Sequence, residues 1–482
     1  MIIAHVYKLE PALSQSSTMD NWLSMLCAQY NFRLAERIAA YEQTKISGAY
    51  CDIHTKTERM PLSCSLSKYA LYGAPFKTDK KTGEAKRRSG FEIQCADLVN
   101  LKVERPWYGG IYSIVLQQML KQLDTAYKNF FEKNRGYPRF KRRAEYKSFT
   151  YTQNVKFEGS TVYLPGIGWM GYHNSRPFPD GFQVKSVTVR KKTSGWYISV
   201  RLEDKSVPIP TPAVELKENL KLIGIDLGIR ILASVSDGRT IENPKFRFNK
   251  RTDRIHRIRA RRVTKKQKGS SNRRKAQYQL NVFEEMIARR REDYQWRKAK
   301  NLVESADVIV FEDLNVAGMV RRCKPKLIDG KYVANGQAAK SGLNRLILDA
   351  GWSDFKTKVR SLSSRAGVMV LEIDPKYSSQ ECSCCGYISP TNRDKEKFLC
   401  EACGNLDDAD FDASKVIAAR GAKVLGLKLD AVRGDTSKQG KNTPTELSLG
   451  LPGEPGNQQP QTKKVEYIQL SLFEGMLGED GC

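Results

Sequence analysis

The feature that most restricts the fold is a pair of tight cysteine knuckles, Cys382-x-x-Cys385 and Cys400-x-x-Cys403, separated by 14 residues in "CSCCGYISPTNRDKEKFLCEAC". Each knuckle turns two thiolates toward one point, and two knuckles complete a tetrahedral four-sulfur cage suited to zinc. Cys384 interrupts the first knuckle, but adjacent thiols cannot readily reach one ion, so the ligand set reads Cys382, Cys385, Cys400 and Cys403. Sulfur then fills every coordination position, which makes this zinc structural. Disulfides are the competing reading. Five of the 11 cysteines crowd into these 22 residues, which favours metal binding in a reducing compartment.

Four aspartates follow almost at once, in "LDDADFDAS". They have two distant counterparts: Asp226 inside the apolar run "LIGIDLGI", and Glu312 closing the apolar run "DVIVFE". A lone acid in such surroundings is costly to ionise. Each has a plain structural explanation, as a strand-end acid, a paired buried acid or a helix N-cap, and for Asp410 taken alone the cap is the stronger reading. Taken together, three hard oxygen ligands on one α/β domain favour a pair of Mg²⁺ ions, the arrangement that activates water and stabilises the leaving oxygen in phosphodiester hydrolysis. The four histidines, His5, His54, His173 and His256, all lie outside these motifs, which disfavours histidine acid–base chemistry.

Phosphodiester chemistry fits the charge. The 482 residues carry 81 Lys and Arg against 53 Asp and Glu, a formal charge of +28, with a pI near 9.6. Such an excess suits a polyphosphate partner, because phosphate neutralisation supplies most nucleic-acid affinity. Residues 245–275 hold 15 Lys and Arg against the single acid Asp253, and Arg261, Arg262, Lys265 and Lys266 are candidate contacts. In "RGYPRFKRRAEYKSFTYTQ", Tyr137 and Phe140 are interleaved with Arg139, Lys141, Arg142 and Arg143. Rings beside cations suit base stacking with backbone tracking; a basic loop leading into a strand with core aromatics explains them equally well. Mean hydropathy is −0.53, and no run approaches the roughly 18 apolar residues of a membrane span. The opening "MIIAHVYKLEPALSQ" lacks the basic and long apolar regions of a secretory signal. The expected location is the bacterial cytoplasm, in association with the nucleoid.

Periodicity predicts a first strand, helices over about 20–43 and 111–131, and a polar loop at "APFKTDKKTGEAKRRSG" between them. The stretch "VKSVTVRKKTSGWYISVRLE" predicts a hairpin turning at Ser194-Gly195, with Trp196, Ile198, Val200 and Leu202 on one face. "VPIPTP" reads as a stiff linker. From Leu222 the pattern turns α/β: strand, Gly-marked turn and strand in "LIGIDLGIRILASVSDG", a buried strand in "ADVIVFEDLNV", one helix in "LNRLILDAGWSDFKTKVRSL", and a strand in "GVMVLEID". Beyond about residue 435 the Pro-, Gly- and Gln-rich composition predicts disorder, with "VEYIQLSLFEGM" the one segment able to order against a partner.

"GIDLG", "VFEDL" and "DADFDAS", with the four-cysteine segment just before the last, resemble the split RuvC-like nuclease of the TnpB family, transposon-encoded RNA-guided DNA endonucleases related to compact type V CRISPR effectors. "GYPRFKRR…SFTY", "LPGIGW" and "YSSQECSCCG" extend the resemblance over roughly residues 1–425. It implies a multidomain α/β and β architecture. A β-barrel wedge domain (1–14 and 136–213) would be interrupted by a helical recognition domain (15–135). An RNase H-like RuvC domain (220–377 and 407–428) would carry an inserted zinc ribbon (378–406), and a mostly disordered tail (429–482) would follow. It implies Asp226, Glu312 and Asp410 as catalytic acids holding Mg²⁺, one structural Zn²⁺ on the four cysteines, a guide RNA and a double-stranded DNA target as partners, and no membrane. Two departures stand out: Asp412 occupies a place where the family commonly has Asn, and "KPKLIDGKYVANGQ" looks like an insertion near the lid that gates the active site. A nuclease-inactive RNA-guided regulator is one competing reading. An RNase H-fold transposase is another, although those typically order their acids Asp, Asp, Glu rather than Asp, Glu, Asp.

Overall fold

Strand β1 (Ile2–Glu10) alternates: His5, Tyr7 and Leu9 turn inward while Ala4, Val6 and Lys8 face out, the period of a half-buried strand. The structure, a computed structural model, describes residues 1–43, 76–78, 83, 85–87, 89–133, 135–208, 210, 220–328, 330–333 and 335–427. The "VPIPTP" linker beyond Pro210 and the tail with "VEYIQLSLFEGM" lie outside the described residues.

After β1 come α1 (Leu13–Gln43), β2 (Phe76–Thr78), β3 (Ala85–Arg87), α2 (Gly90–Ala96), α3 (Leu98–Glu104) and α4 (Ser113–Glu132). Helix α1 begins seven residues before the periodicity suggests, and the basic stretch expected to be a loop contains the antiparallel pair β2–β3. The chain then returns to the sheet with β4 (Ser148–Tyr151), β5 (Lys156–Glu158), β6 (Thr161–Leu164), β7 (Gly168–Tyr172), β8 (Gln183–Lys192) and β9 (Gly195–Glu203). These strands pair antiparallel in the order β4-β8-β9-β1-β7-β6-β5, with β4 and β5 as edges. One core serves sheet and helices alike: Trp22, Leu26 and Tyr30 of α1 and Leu116, Leu120 and Leu123 of α4 pack with Phe149, Tyr151, Ile198 and Val200. The β8–β9 hairpin forms as expected, with Trp196, Ile198, Val200 and Leu202 all buried. Pairing of Lys192 with Gly195 moves its turn one residue back, to Thr193-Ser194.

The second half begins with β10 (Leu222–Leu227), β11 (Ile231–Val235), β12 (Thr240–Glu242), α5 (Lys250–Thr264), α6 (Ser271–Val303) and β13 (Val308–Glu312). It continues through α7 (Val316–Met319), β14 (Lys326–Ile328), β15 (Lys331–Val333), α8 (Gln337–Ala350), α9 (Trp352–Ala366), β16 (Met369–Ile373), the ribbon strands β17 (Arg393–Asp394), β18 (Lys397–Leu399) and β19 (Leu406–Asp408), and α10 (Ala409–Val424). A mixed five-stranded sheet runs β12-β11-β10-β13-β16, antiparallel up to β10 and parallel beyond it. On one face Ile223, Ile225, Ile309 and Phe311 pack with α6, α8 and α9. On the other, Leu222, Val308 and Val310 pack with Ile417, Ala418 and Ala422 of α10. The single helix expected over "LNRLILDAGWSDFKTKVRSL" is two, because Gly351 at φ +67° ends α8 and admits α9.

The two halves meet where α6 reaches the β8–β9 turn. Glu285 accepts from the Ser194 amide at 3.0 Å and its hydroxyl at 2.6 Å, while Arg289 donates to the Tyr197 hydroxyl at 2.9 Å. No helix among the described residues is long and apolar enough to cross a membrane.

Candidate active site and metal centre

Strand alternation decides where the acids point. Leu222, Gly224 and Asp226 share one face of β10, and Val308, Val310 and Glu312 share the same face of β13. That face is covered by α10. The parallel register pairs Ile225 with Phe311, so Asp226 and Glu312 end side by side at the carboxyl edge of the sheet, where open α/β sheets gather ligands. Helix α10 lies unusually close to β10: a Cβ on Gly224 would stand 2.2 Å from the Ser414 carbonyl oxygen and 2.4 Å from the Ala418 nitrogen. Glycine at this position is what lets the first turn of α10 reach the strand ends.

That first turn gives its three aspartates separate tasks. Asp408 is the N-cap, accepting from the amides of Asp410 at 3.0 Å and Phe411 at 3.4 Å; the capping role that Asp410 alone suggested therefore belongs to Asp408. Asp412 is fully buried and faces the ribbon, where its Oδ1 accepts from the Ser383 hydroxyl at 2.6 Å and from Asn405 Nδ2 at 3.2 Å. Asp410 faces the strand ends. Its Oδ1 accepts from Arg393 of β17 at 2.9 Å, and its charge is felt at Asp226.

Burial, then the charges of Glu312 and Asp410, push the Asp226 carboxyl up to about 7, with Arg393 opposing them. Glu312 is raised as well, by burial, against the Ser378 hydrogen bond and the charges of Arg420 and Lys356. Like charges so placed repel, and two of the acids lean on side-chain partners of their own: Asp410 on Arg393 and Glu312 on the Ser378 hydroxyl. Consistent with that, among the described residues only the four cysteines bring three or more potential ligand atoms all within 4.8 Å of one another. The acids cluster more loosely than a preformed cage for two ions would require.

The cysteines meet the geometric expectation closely. Cys382 and Cys403 stand 3.6 Å apart at sulfur, as do Cys385 and Cys400, near the ~3.8 Å edge of a tetrahedron with Zn–S bonds of about 2.3 Å. Cys384 stays outside the group and exposed. Disulfides are absent among these residues, all of which are free thiols.

The expected nucleic-acid contacts divide. Tyr137 packs edge-on against Phe130 at 5.0 Å, and the Lys141 ammonium sits 4.2 Å from the Tyr30 ring centre, where burial lowers its pKa. Both are absorbed into the fold, which leaves Arg139, Phe140, Arg142 and Arg143 exposed on that stretch. Arg261, Arg262 and Lys265 are exposed and Lys266 partly so. Four residues at the site escaped sequence reasoning. Lys356, 6% exposed, donates to the Glu312 carbonyl at 2.9 Å; its position among Trp352, Phe355 and Val359 in α9 was a usable signal, since a lysine on an apolar helix face needs a partner. Ser378, Arg393 and Arg420 offered no comparable pattern.

Residues 197–322 match a family described as a probable transposase, and residues 352–417 match the Cas12f1-like TNB domain. A putative RNA-guided DNA endonuclease, InsQ, of Escherichia coli (strain K12) is 36% identical over 348 residues, which span 71% of this chain and 82% of that one. The chain belongs to the TnpB family. A putative RNA-guided DNA endonuclease of Streptomyces pristinaespiralis is 31% identical over 77% of this chain and 88% of its own length. The CRISPR-associated endodeoxyribonuclease Cas12f1 of Sulfoacidibacillus thermotolerans is 25% identical over 46% of this chain and 50% of its own length. In this TnpB-family chain the first matched segment contains Asp226 and Glu312, and the second contains Asp410 and all four cysteines.

Proposed function

We propose that the chain is an RNA-guided, Mg²⁺-dependent DNA endonuclease whose single hydrolytic site is Asp226, Glu312 and Asp410. The observation that carries the reading is the Asp226 carboxyl. The parallel register sets it beside Glu312, and burial, then the charges of Glu312 and of Asp410 from α10, push it up to about 7. The donor set fits hard divalent cations: carboxylate oxygens only, with no thiol or imidazole, and a surplus of negative charge that a cation would relieve. Such ions, when bound, activate water and stabilise the leaving oxygen of a phosphodiester. The chain's own part is to hold the acids. Asp226 and Glu312 are fixed by hydrogen-bonded strand ends, and Asp410 is brought to them by a helix seated on Gly224. The four thiolates would hold one structural Zn²⁺, keeping the ribbon and its Arg393 beside the acids.

In this reading the seven-stranded sheet is the wedge domain and the inserted helices are the recognition domain. The five-stranded sheet, in the order 3-2-1-4-5 of appearance, is the RuvC-like nuclease, and residues 378–406 form its ribbon. The exposed cations of α5 and of residues 139–143 would neutralise phosphates of the guide and target. The experiment is to sequence the RNA that copurifies with the protein, build a matching DNA duplex, and compare wild type with Asp226→Ala in Mg²⁺. The expected outcome is cleavage by wild type and none by the variant, with both binding target alike. Cleavage by the variant contradicts the reading. Guided binding without cleavage by wild type would indicate a regulator, and joining of DNA ends would indicate a transposase.

A further inference from the structure

Glu312 is held at two points. Lys356 fixes its backbone carbonyl from α9 at 2.9 Å. Its carboxylate has one hydrogen bond among the described residues, from the hydroxyl of Ser378, which is 5% exposed. That hydroxyl also lies 3.0 Å from the Pro375 carbonyl. It has a single proton to donate, and a charged acceptor makes the stronger bond.

The chain reaches Ser378 through an unusual turn. Tyr377 has φ +62°, a left-handed conformation costly for a bulky side chain. The residue is 51% exposed, so core packing does not hold it there. Backbone and clamp do. The amides of Gln380 and Glu381 both donate to the Tyr377 carbonyl at 3.0 Å. Arg420 of α10 donates to the carbonyls of Asp374 and Lys376, each at 2.9 Å, and anchors itself on Glu381 at 2.9 Å. Strain persists only where surroundings over-determine it, and it collects at functional sites.

We propose that Ser378 orients the Glu312 carboxylate for divalent-cation binding, and that the strained Tyr377 turn, clamped by Arg420 from the helix that carries Asp410, sets Ser378 in place. Ser378 is thus a positioning residue. Through Arg420, α10 governs two of the three acids: Asp410 directly and Glu312 at one remove. The assignment rests on the proposed metal-dependent function, and the test separates the two.

Guide-bound wild type, Ser378→Ala, Ser378→Thr and Arg420→Gln are titrated with Mn²⁺ and followed by electron paramagnetic resonance, with Asp226→Ala defining the ions bound elsewhere, on RNA included. Orienting partners of metal ligands typically contribute 10–100-fold to affinity, so Ser378→Ala is expected to weaken the Asp226-dependent Mn²⁺ binding about 10-fold or more. The Mg²⁺ concentration for half-maximal cleavage should rise in step while target affinity holds. Ser378→Thr, which keeps the hydroxyl, should restore both. Arg420→Gln should shift Mn²⁺ binding in the same direction, and it supplies the answer should Ser378→Ala fail to fold. Unchanged Mn²⁺ affinity in Ser378→Ala, or no rescue by threonine, overturns the role of Ser378; unchanged affinity in Arg420→Gln overturns the clamp. If Asp226→Ala still cuts, the proposed function fails. If it is inactive while Ser378→Ala binds Mn²⁺ normally, this assignment alone fails.

Discussion

Asp226 keeps its proton in the folded protein up to about 7, well above the ordinary value of 3.8. Between those values the folded state binds more protons than the unfolded one, so its contribution to stability falls as pH rises, by at most about 1.4 kcal/mol per pH unit. A divalent cation held at Asp226, as proposed, would compete with that proton. Added Mg²⁺ is therefore expected to raise the melting temperature little at pH 6 and clearly at pH 8, in wild type but not in Asp226→Ala; a pH-independent shift contradicts the coupling. Asp226 and Glu312 stand out in the sequence because an acid within or beside an apolar run needs a reason, and the structure sets them at neighbouring strand ends. Which aspartate of "DDADFDAS" faces the strands was not legible from residue chemistry alone, because it depends on where α10 begins and how it rotates against the sheet. Tyr137 and Lys141 show the reverse limit: interleaved rings and cations look alike whether they meet nucleic acid or one another.

At the scale of elements, the packing of α10 on β10 carries the site. Gly224→Ala is expected to push the helix off the strand, since the new methyl would meet backbone atoms at 2.2 and 2.4 Å rather than yielding side chains. A cost of about 1–3 kcal/mol follows from overpacking of this kind, and cleavage should fall with it. Thermal unfolding and a cleavage time course check both, and an unperturbed variant would mean that the helix has room to move. Elements with clean patterning were readable: β1, α4, the β8–β9 hairpin, β10 and β13. The β2–β3 pair was missed because its strands are three residues each and rich in Lys and Arg, which carry little strand signal. The break at Gly351 was missed because apolar spacing continues across it; only the left-handed backbone ends the helix.

At the scale of the whole molecule, the proposed guide and target would meet an excess of positive charge, and contacts of α6 with the β8–β9 turn join the two halves. Replacing Arg261, Arg262, Lys265 and Lys266 together with Ala should lower guide RNA affinity. It should also reduce the slope of log affinity against log salt by about 3, since each phosphate left without its cation removes roughly 0.7–0.9 from that slope. Filter binding across salt concentrations measures it, and an unchanged slope would place the RNA elsewhere. The +28 charge points to a polyphosphate partner from composition alone, and the salt slope tests it. The clasp of Ser194, Glu285 and Arg289 between the two halves was not readable, since nothing local marks residues that meet 91 positions apart. The central claim is that Asp226, Glu312 and Asp410 close on divalent cations. Anomalous diffraction at the manganese edge from crystals of the protein with guide RNA, target DNA and Mn²⁺ tests it most directly. The account expects manganese peaks bounded by oxygens of all three acids; peaks elsewhere, with Asp410 still paired to Arg393 and Glu312 turned away from Asp226, would contradict it.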